Sequence, residues 1–171
     1  MSTQLKLIKR TPDLSTNAFS SFLAMYKSYI EELSAFSQRL RDEPVSIMEV
    51  CDIWNNPDVE LYFVMHDDEP AGFIVLGINA NKHESSDWFI GEFYIKKNLQ
   101  SKGIGKSAVK SLLREKKGKY CFFVLKNNIR ARAFWKKAFS ENQYIDTTCL
   151  YKCSHTPNDC IFKMFSPRDG I

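Results

Sequence analysis

The sequence lacks several features that would place it in common classes. Its longest apolar runs fall far short of the roughly 20 residues that a helix needs to cross a bilayer, so no membrane helix is expected. It has no internal repeat, no low-complexity tract and no Pro/Gly-rich linker, which predicts one continuous domain over residues 1–171. Histidine is scarce, at three residues; His66 and His83 stand alone and suggest neither a metal site nor a catalytic pair. The excess of basic residues is small: 24 Lys and Arg against 20 Asp and Glu give a net charge of +4. That favours a small anionic ligand but is not the dense basic footprint of a nucleic-acid binder. The five cysteines are odd in number, and Cys121 lies inside an apolar run. The N-terminal Met-Ser-Thr-Gln-Leu-Lys has no apolar leader core. A reducing, cytoplasmic setting without structural disulfides is therefore expected.

What is present suits a globular domain. The chain is 44% apolar and 26% charged, with 13 Phe to fill a core, and a domain of this size buries roughly two-thirds of its unfolded surface. Residues 4–9 alternate like a half-buried strand. Asp13 or Ser15 can cap a helix, and Phe19, Phe22, Leu23, Tyr26, Ile30, Leu33 and Phe36 recur on one helical face. A polar break at 42–45 precedes a short helix over 46–55. Residues 60–66 and 72–79 read as a hairpin around D-D-E-P-A-G, residues 80–87 as a loop, and 88–96 as a third strand. A helix over 102–117, with cations in its last turn and Gly118 just beyond, is followed by an all but continuously apolar strand at 119–125. A helix over 129–142 and two strands, 144–153 and 160–165, complete the chain. The order β-α-α-β-β-β-α-β-α-β-β predicts an α/β fold with helices on both faces of a mixed sheet.

The segment from Gln100 to Ala108, Q-S-K-G-I-G-K-S-A, lies between a strand and a helix. Gly103 and Gly105 allow a close backbone approach to a ligand, and the helix start supplies unpaired N–H groups and a favourable dipole for phosphate. A nucleotide P-loop ending in Gly105-Lys106-Ser107 would require glycine where Gln100 stands. A dinucleotide fingerprint would require an acidic residue about twenty positions on, where the chain reads Val124-Leu125-Lys126-Asn127.

The third reading fits both halves. Q-x-x-G-x-G after a strand resembles the acetyl-CoA pyrophosphate loop of the GNAT N-acetyltransferases. Asn128, Ala131, Phe134 and Phe139 resemble that family's second conserved block, and the element order is similar across most of the chain. The resemblance implies a single-domain, mostly antiparallel mixed sheet and transfer of an acetyl group from acetyl-CoA to a primary amine. It implies that backbone groups of Phe93, Tyr94 and Ile95 hold the acetyl end. Gln100, Ser101, Lys102, Gly103, Ile104, Gly105 and Lys106 would surround the pyrophosphate, and Asn128 would meet the pantetheine arm. An N-cap role accounts for Asn128 equally well.

For catalysis, the resemblance implies Glu92 as the base, since it stands three residues before Ile95, where family members often carry a carboxylate; alternation puts it on the strand face of Tyr94, and a carboxylate among apolar residues is raised in pKa. Backbone N–H groups near Ile95 would stabilise an oxyanion. Trp135 stands where the family usually has a tyrosine that protonates the departing thiolate, and an indole N–H is no acid. Tyr94, Tyr144 or water would have to serve instead. A non-catalytic acyl-CoA-binding domain is the alternative. Tyr26, Trp54 and residues 80–87 would border the acceptor, a small molecule or peptide amine. Cys149, Cys153, His155 and Cys160 invite a zinc reading, but Cys149 and Cys153 sit four apart on a predicted strand, about 13 Å along it, too far for both to ligate one ion without a bend. The acceptor's identity and the oligomeric state, a homodimer included, are left open.

Overall fold

The predicted alternation at the N-terminus becomes strand β1 (Leu5–Lys9) in a computed structural model, which describes residues 5–10, 16–78, 86–148, 153 and 155–168. Helices α1 (Thr16–Ser34), α2 (Gln38–Asp42) and α3 (Ile47–Asn55) follow, then strands β2 (Val59–His66), β3 (Glu69–Ile78) and β4 (Trp88–Ile95). A 3-10 turn (Lys97–Leu99) leads to α4 (Ile104–Glu115), β5 (Tyr120–Leu125), α5 (Ile129–Ser140), β6 (Tyr144–Asp146) and β7 (Cys160–Pro167). Among the described residues, seven strands form one sheet in the order β1-β2-β3-β4-β5-β7-β6. Every neighbouring pair is antiparallel except β4 and β5. This is the expected mixed, mostly antiparallel architecture.

The two faces of the sheet carry separate cores. On one, Phe22, Met25 and Tyr26 of α1 pack with Val50 of α3 against Leu61, Phe63, Phe73 and Tyr94. On the other, Ile104, Ala108 and Leu112 of α4 and Trp135 and Phe139 of α5 pack against Tyr62, Ile74, Phe122 and Phe165. Buried Glu60 ties the second layer together electrostatically: it accepts from Lys9 (2.8 Å), Lys116 (3.0 Å) and the Tyr62 hydroxyl (2.5 Å).

Two expectations are corrected. The first helix does not run through Phe36. It stops at Ser34, and α2 starts afresh because buried Ser37 caps it, accepting from Leu40 N–H (3.3 Å) while donating to Asp159. Of the strand expected over 144–153, the described part is β6, which ends at Asp146; its carboxylate accepts from the Thr148 N–H (3.0 Å), while the Thr147 N–H still reaches the Met164 carbonyl of β7 (2.9 Å). Cys149 and residues 150–152 lie outside the described residues, as does most of the 80–87 loop.

Two departures from regular pairing create the site. The first is a bulge in β4: Val75 faces Glu92 and Leu76 faces Ile90, so Gly91 is the extra residue. Without it, alternation would put Ile90 and Glu92 on one face. With it, Ile90 joins the α4–α5 core and Glu92 turns to α1. The second is a splay. Parallel β4 and β5 pair only at Trp88–Tyr120 and Phe89–Cys121, after which β5 continues against β7 alone. Beyond that point the two strands part, and α4 and α5 begin at the open end.

Candidate active site

A cleft of about 800 Å3 runs through the splay, from the starts of α4 and α5 on one side of the sheet to α1, α2 and α3 on the other. Its first mouth has the makings of an anion cradle. Ser101 and Gly103 both have left-handed backbones, φ +62° and +82°, and a Cβ added at Gly103 would meet nothing within 4 Å. A ligand can therefore approach this backbone closely. Ser107 N–H bonds back to the Gly103 carbonyl (3.0 Å), which opens the α4 ladder and leaves the preceding N–H groups without intrahelical partners. Arg130, in the first turn of α5, donates to Ser101 Oγ (2.5 Å) and lines the same mouth.

Of the loop residues expected around a pyrophosphate, Gln100, Ser101, Gly103, Gly105 and Lys106 line the cleft. Lys102 is exposed outside the lining, and Ile104 is buried in the core under α4. Lys106 is paired with Glu141 (2.6 Å). The Gln100 side chain turns inward, donating to the Ile95 carbonyl (2.9 Å) and to Glu32 (3.0 Å), and so fixes the loop to the end of β4 and to α1. Asn128 caps α5, its side-chain oxygen accepting from Ala131 N–H (3.0 Å), and it also lines the cleft.

The middle of the cleft is aromatic on the α5 side. Phe93 stacks on Phe134 (5.6 Å between centroids) and meets Trp135 edge-on (5.0 Å), and Trp135 also packs on Phe122 (4.6 Å). Trp135 is thus a packed wall residue. On the α1 side stands Glu92, half-buried. Its carboxylate accepts from the Tyr29 hydroxyl at 2.5 Å and the Tyr26 hydroxyl at 3.2 Å. Burial raises its pKa to about 6, against the lowering effect of the two tyrosine donors. Both tyrosines are in turn held protonated, chiefly by burial and then by the Glu92 charge.

Tyr94 also lines the cleft and donates to Glu32 (3.2 Å); burial and that carboxylate push its hydroxyl up to about 12. Tyr144 does not join these residues. It packs in the second core against Phe139 (5.4 Å) and Tyr120 (6.0 Å), outside the cleft lining. Trp54 likewise belongs to the core, against Phe19 and Phe22, whereas Tyr26 reaches the cleft as expected. Cys160 lines the cleft too, but burial and the adjacent Asp159 push its thiol up to about 11, so it is no nucleophile at neutral pH.

Sequence reasoning missed Tyr29, Glu32 and Arg130. The Tyr26–Tyr29 spacing of three residues was a visible signal for two hydroxyls on one helix face. Arg130 had only its place one residue inside a helix start. Among the described residues, no group of three or more His, Cys, Asp or Glu is placed to hold a metal ion, and no helix is long and apolar enough to cross a membrane.

The splayed parallel pair, the bulge that presents a carboxylate and the helix start suited to phosphate meet in this one cleft. The chain belongs to the GNAT acetyltransferase family, whose profile matches residues 22–139. Solved structures agree in fold. An acetyltransferase from Thermus thermophilus superposes with a TM-score of 0.60 at 16% identity, over 94% of this chain and 95% of that one. The PaiA N-acetyltransferase of Thermoplasma acidophilum, solved in complex with coenzyme A, has a TM-score of 0.60 at 17% identity, over 96% and 99% of the two chains. A GNAT acetyltransferase from Elizabethkingia anophelis with acetyl-CoA bound has a TM-score of 0.58 at 14% identity, over 95% and 97%. No curated protein sequence matches this one significantly.

Proposed function

We propose that the protein transfers an acetyl group from acetyl-CoA to a primary amine, with Glu92 as the base. The observation that carries this reading is the Glu92 carboxylate, raised in pKa and held by two tyrosine hydroxyls inside a cleft that runs through the sheet. The cleft suits acetyl-CoA: the open backbone at Gly103 and the α4 start take the pyrophosphate, with Arg130 beside it, and the gap between β4 and β5 takes the pantetheine arm. The coenzyme A complex of the PaiA structure and the acetyl-CoA complex of the Elizabethkingia structure, which share the fold, support the same choice. Bound there, acetyl-CoA supplies an electrophilic thioester carbonyl and a thiolate leaving group.

The chain's own residues then divide the work. Glu92 takes a proton from the incoming ammonium, directly or through a water. Its two tyrosine partners fix the carboxylate's direction. Tyr94, still protonated at neutral pH, is the hydroxyl we assign to the departing thiolate, and Phe93 and Trp135 wall the reacting end from water. Release of coenzyme A thiol tests the proposal: with acetyl-CoA and a panel of amines, thiol should appear faster than the amine-free background with at least one acceptor. No acceptor-dependent release across mono-, di- and polyamines, amino acids and peptides would contradict it and favour a non-catalytic acyl-CoA binder.

A further inference from the structure

We infer that the outer face of α4 and α5 binds the phosphate backbone of a double-stranded nucleic acid, independently of base sequence. The small net charge, which weighs against nucleic acid when taken alone, conceals the feature that carries this. Residues 102–140 hold twelve Lys and Arg against one acid, Glu115, while the rest of the chain holds twelve against nineteen. Such segregation keeps the net charge small and still gives one surface a strong positive field.

The fold gathers those cations on one face. Both helices pack on the same side of the sheet, and Phe134 of α5 lies against Gly105 of α4. Lys106, Lys110 and Arg114 recur at four-residue steps along α4, about 6 Å apart. Arg132 and Lys136 do the same along α5, and Arg130 and Lys137 stand two turns apart on it. All seven are exposed, and Glu115 is the one exposed acid of the two helices. Lys106 and Arg130 belong to the cleft mouth, where Lys106 pairs with Glu141 and Arg130 donates to Ser101. Lys110, Arg114, Arg132, Lys136 and Lys137 lie outside the cleft lining and form no salt bridge among the described residues. Arg114 is about 12 Å along α4 from Lys106, beyond a Debye length of about 8 Å at physiological salt. A cofactor phosphate at the helix start therefore leaves it unanswered.

What else the face carries selects the polyanion. No aromatic side chain is exposed on either helix, so unpaired bases would have nothing to stack on. Ile129 is the one exposed large apolar side chain there. A helix that lies in a membrane surface inserts an apolar face, and the apolar faces of α4 and α5 are committed to the core. A protein partner would need an apolar or aromatic anchor in the patch. Rows of cations at one-turn steps, without such an anchor, match paired strands of regularly spaced phosphates.

The test is fluorescence anisotropy of a labelled duplex of about 20 base pairs, two helical turns, prepared once as DNA and once as RNA. The full-length protein is titrated in with coenzyme A in excess, which keeps the duplex off the cleft mouth. Raising salt from about 50 to about 200 mM should weaken binding a hundredfold or more, as contacts to about five phosphates require. The variant Lys110→Gln/Arg114→Gln/Lys136→Gln/Lys137→Gln removes four of those contacts. Glutamine suits exposed helix positions, so the melting temperature and the acetyl-CoA affinity should hold. The slope of log affinity against log salt should become shallower by about 3 to 4. Lys136→Gln/Lys137→Gln alone should lower it by about 2, which keeps the test standing if the fourfold variant fails to fold. Salt-dependent binding of either duplex, weakened in this way by the variants, upholds the inference, and the tighter duplex identifies the source. No binding at the lower salt, or an unchanged slope in a folded variant, overturns it. Equally tight binding to vesicles of phosphatidylcholine and phosphatidylserine, or to polyglutamate, overturns it too and reassigns the face to a membrane or an acidic protein.

Discussion

Replacing Glu92 by Gln is expected to lower kcat about a hundredfold or more, the scale on which a positioned general base contributes, with little change in the KM for acetyl-CoA. Glutamine has nearly the same shape and can still meet Tyr26 or Tyr29, so the wall of the cleft survives while the proton acceptor is lost. The same carboxylate sets the pH profile. It is raised to about 6, mainly by burial, so kcat/KM should climb with pH towards about 6 and flatten with respect to this group above it. Stability should respond with the opposite sign. A carboxylate whose pKa is higher folded than unfolded favours the protonated form, so its contribution is fully present below the ordinary value of 4.5 and is lost as pH rises through about 6. At pH 8 the Glu92→Gln protein should therefore melt no lower than the native one while being nearly inactive. A kcat within about threefold of native would show that another group is the base.

Gly72→Ala should do the converse, damaging the framework while altering the chemistry of no functional side chain. Gly72 pairs with Ile95 across β3 and β4, and a Cβ there would lie 2.0 Å from the Tyr94 carbonyl oxygen and 3.0 Å from the Ile95 Cα. Both are backbone atoms, so no side chain can swing away; β4 itself must move at the end that forms one wall of the cleft. Overpacking of this kind costs about 1–3 kcal/mol, which at this chain length means a melting temperature lower by several degrees. The KM for acetyl-CoA should rise about tenfold, because the carbonyl that Gln100 grips belongs to the displaced strand. Gly77→Ala in the same strand is the control. Its added Cβ would sit 3.6 Å from Phe89, an ordinary contact, and the protein should tolerate it. If Gly72→Ala were as mild as Gly77→Ala, the close approach of β3 to β4 would not shape the site.

What could be read from the sequence was whatever depends on local pattern. The glycine loop, the strand before it and the helix after it are contiguous in the chain, so Gln100 to Lys106 could be read as an anion-binding turn. Glu92 could be proposed because it stands three residues before Ile95, where the family resemblance implies a carboxylate, and alternation puts it on the face of Tyr94. What escaped depends on pairing between distant segments. The bulge at Gly91 changes the face on which Ile90 lies, and it appears only when β4 is set against β3. The Tyr29–Glu92 bond joins residues 63 apart in sequence, and the Tyr94–Glu32 bond residues 62 apart. Tyr144 was a reasonable donor by chemistry, but the short β6 it begins pairs with β7 at the outer edge of the sheet and turns its ring into the core. The break between α1 and α2 was hidden because the apolar stripe continues through Phe36, although α1 stops at Ser34 and Ser37, bonded to Asp159, starts a new helix.

The most direct test of the account is thermal unfolding in the presence of acetyl-CoA, with ATP and NAD at the same concentration as comparators. A ligand at a hundred times its Kd adds about 2.7 kcal/mol of stability, or roughly 5–10 °C for a chain of this length. A shift of that size with acetyl-CoA, and none with ATP or NAD, is the predicted result. No shift at millimolar acetyl-CoA, or a larger one with ATP or NAD, would contradict the assignment of the cleft between β4 and β5 as an acetyl-CoA site.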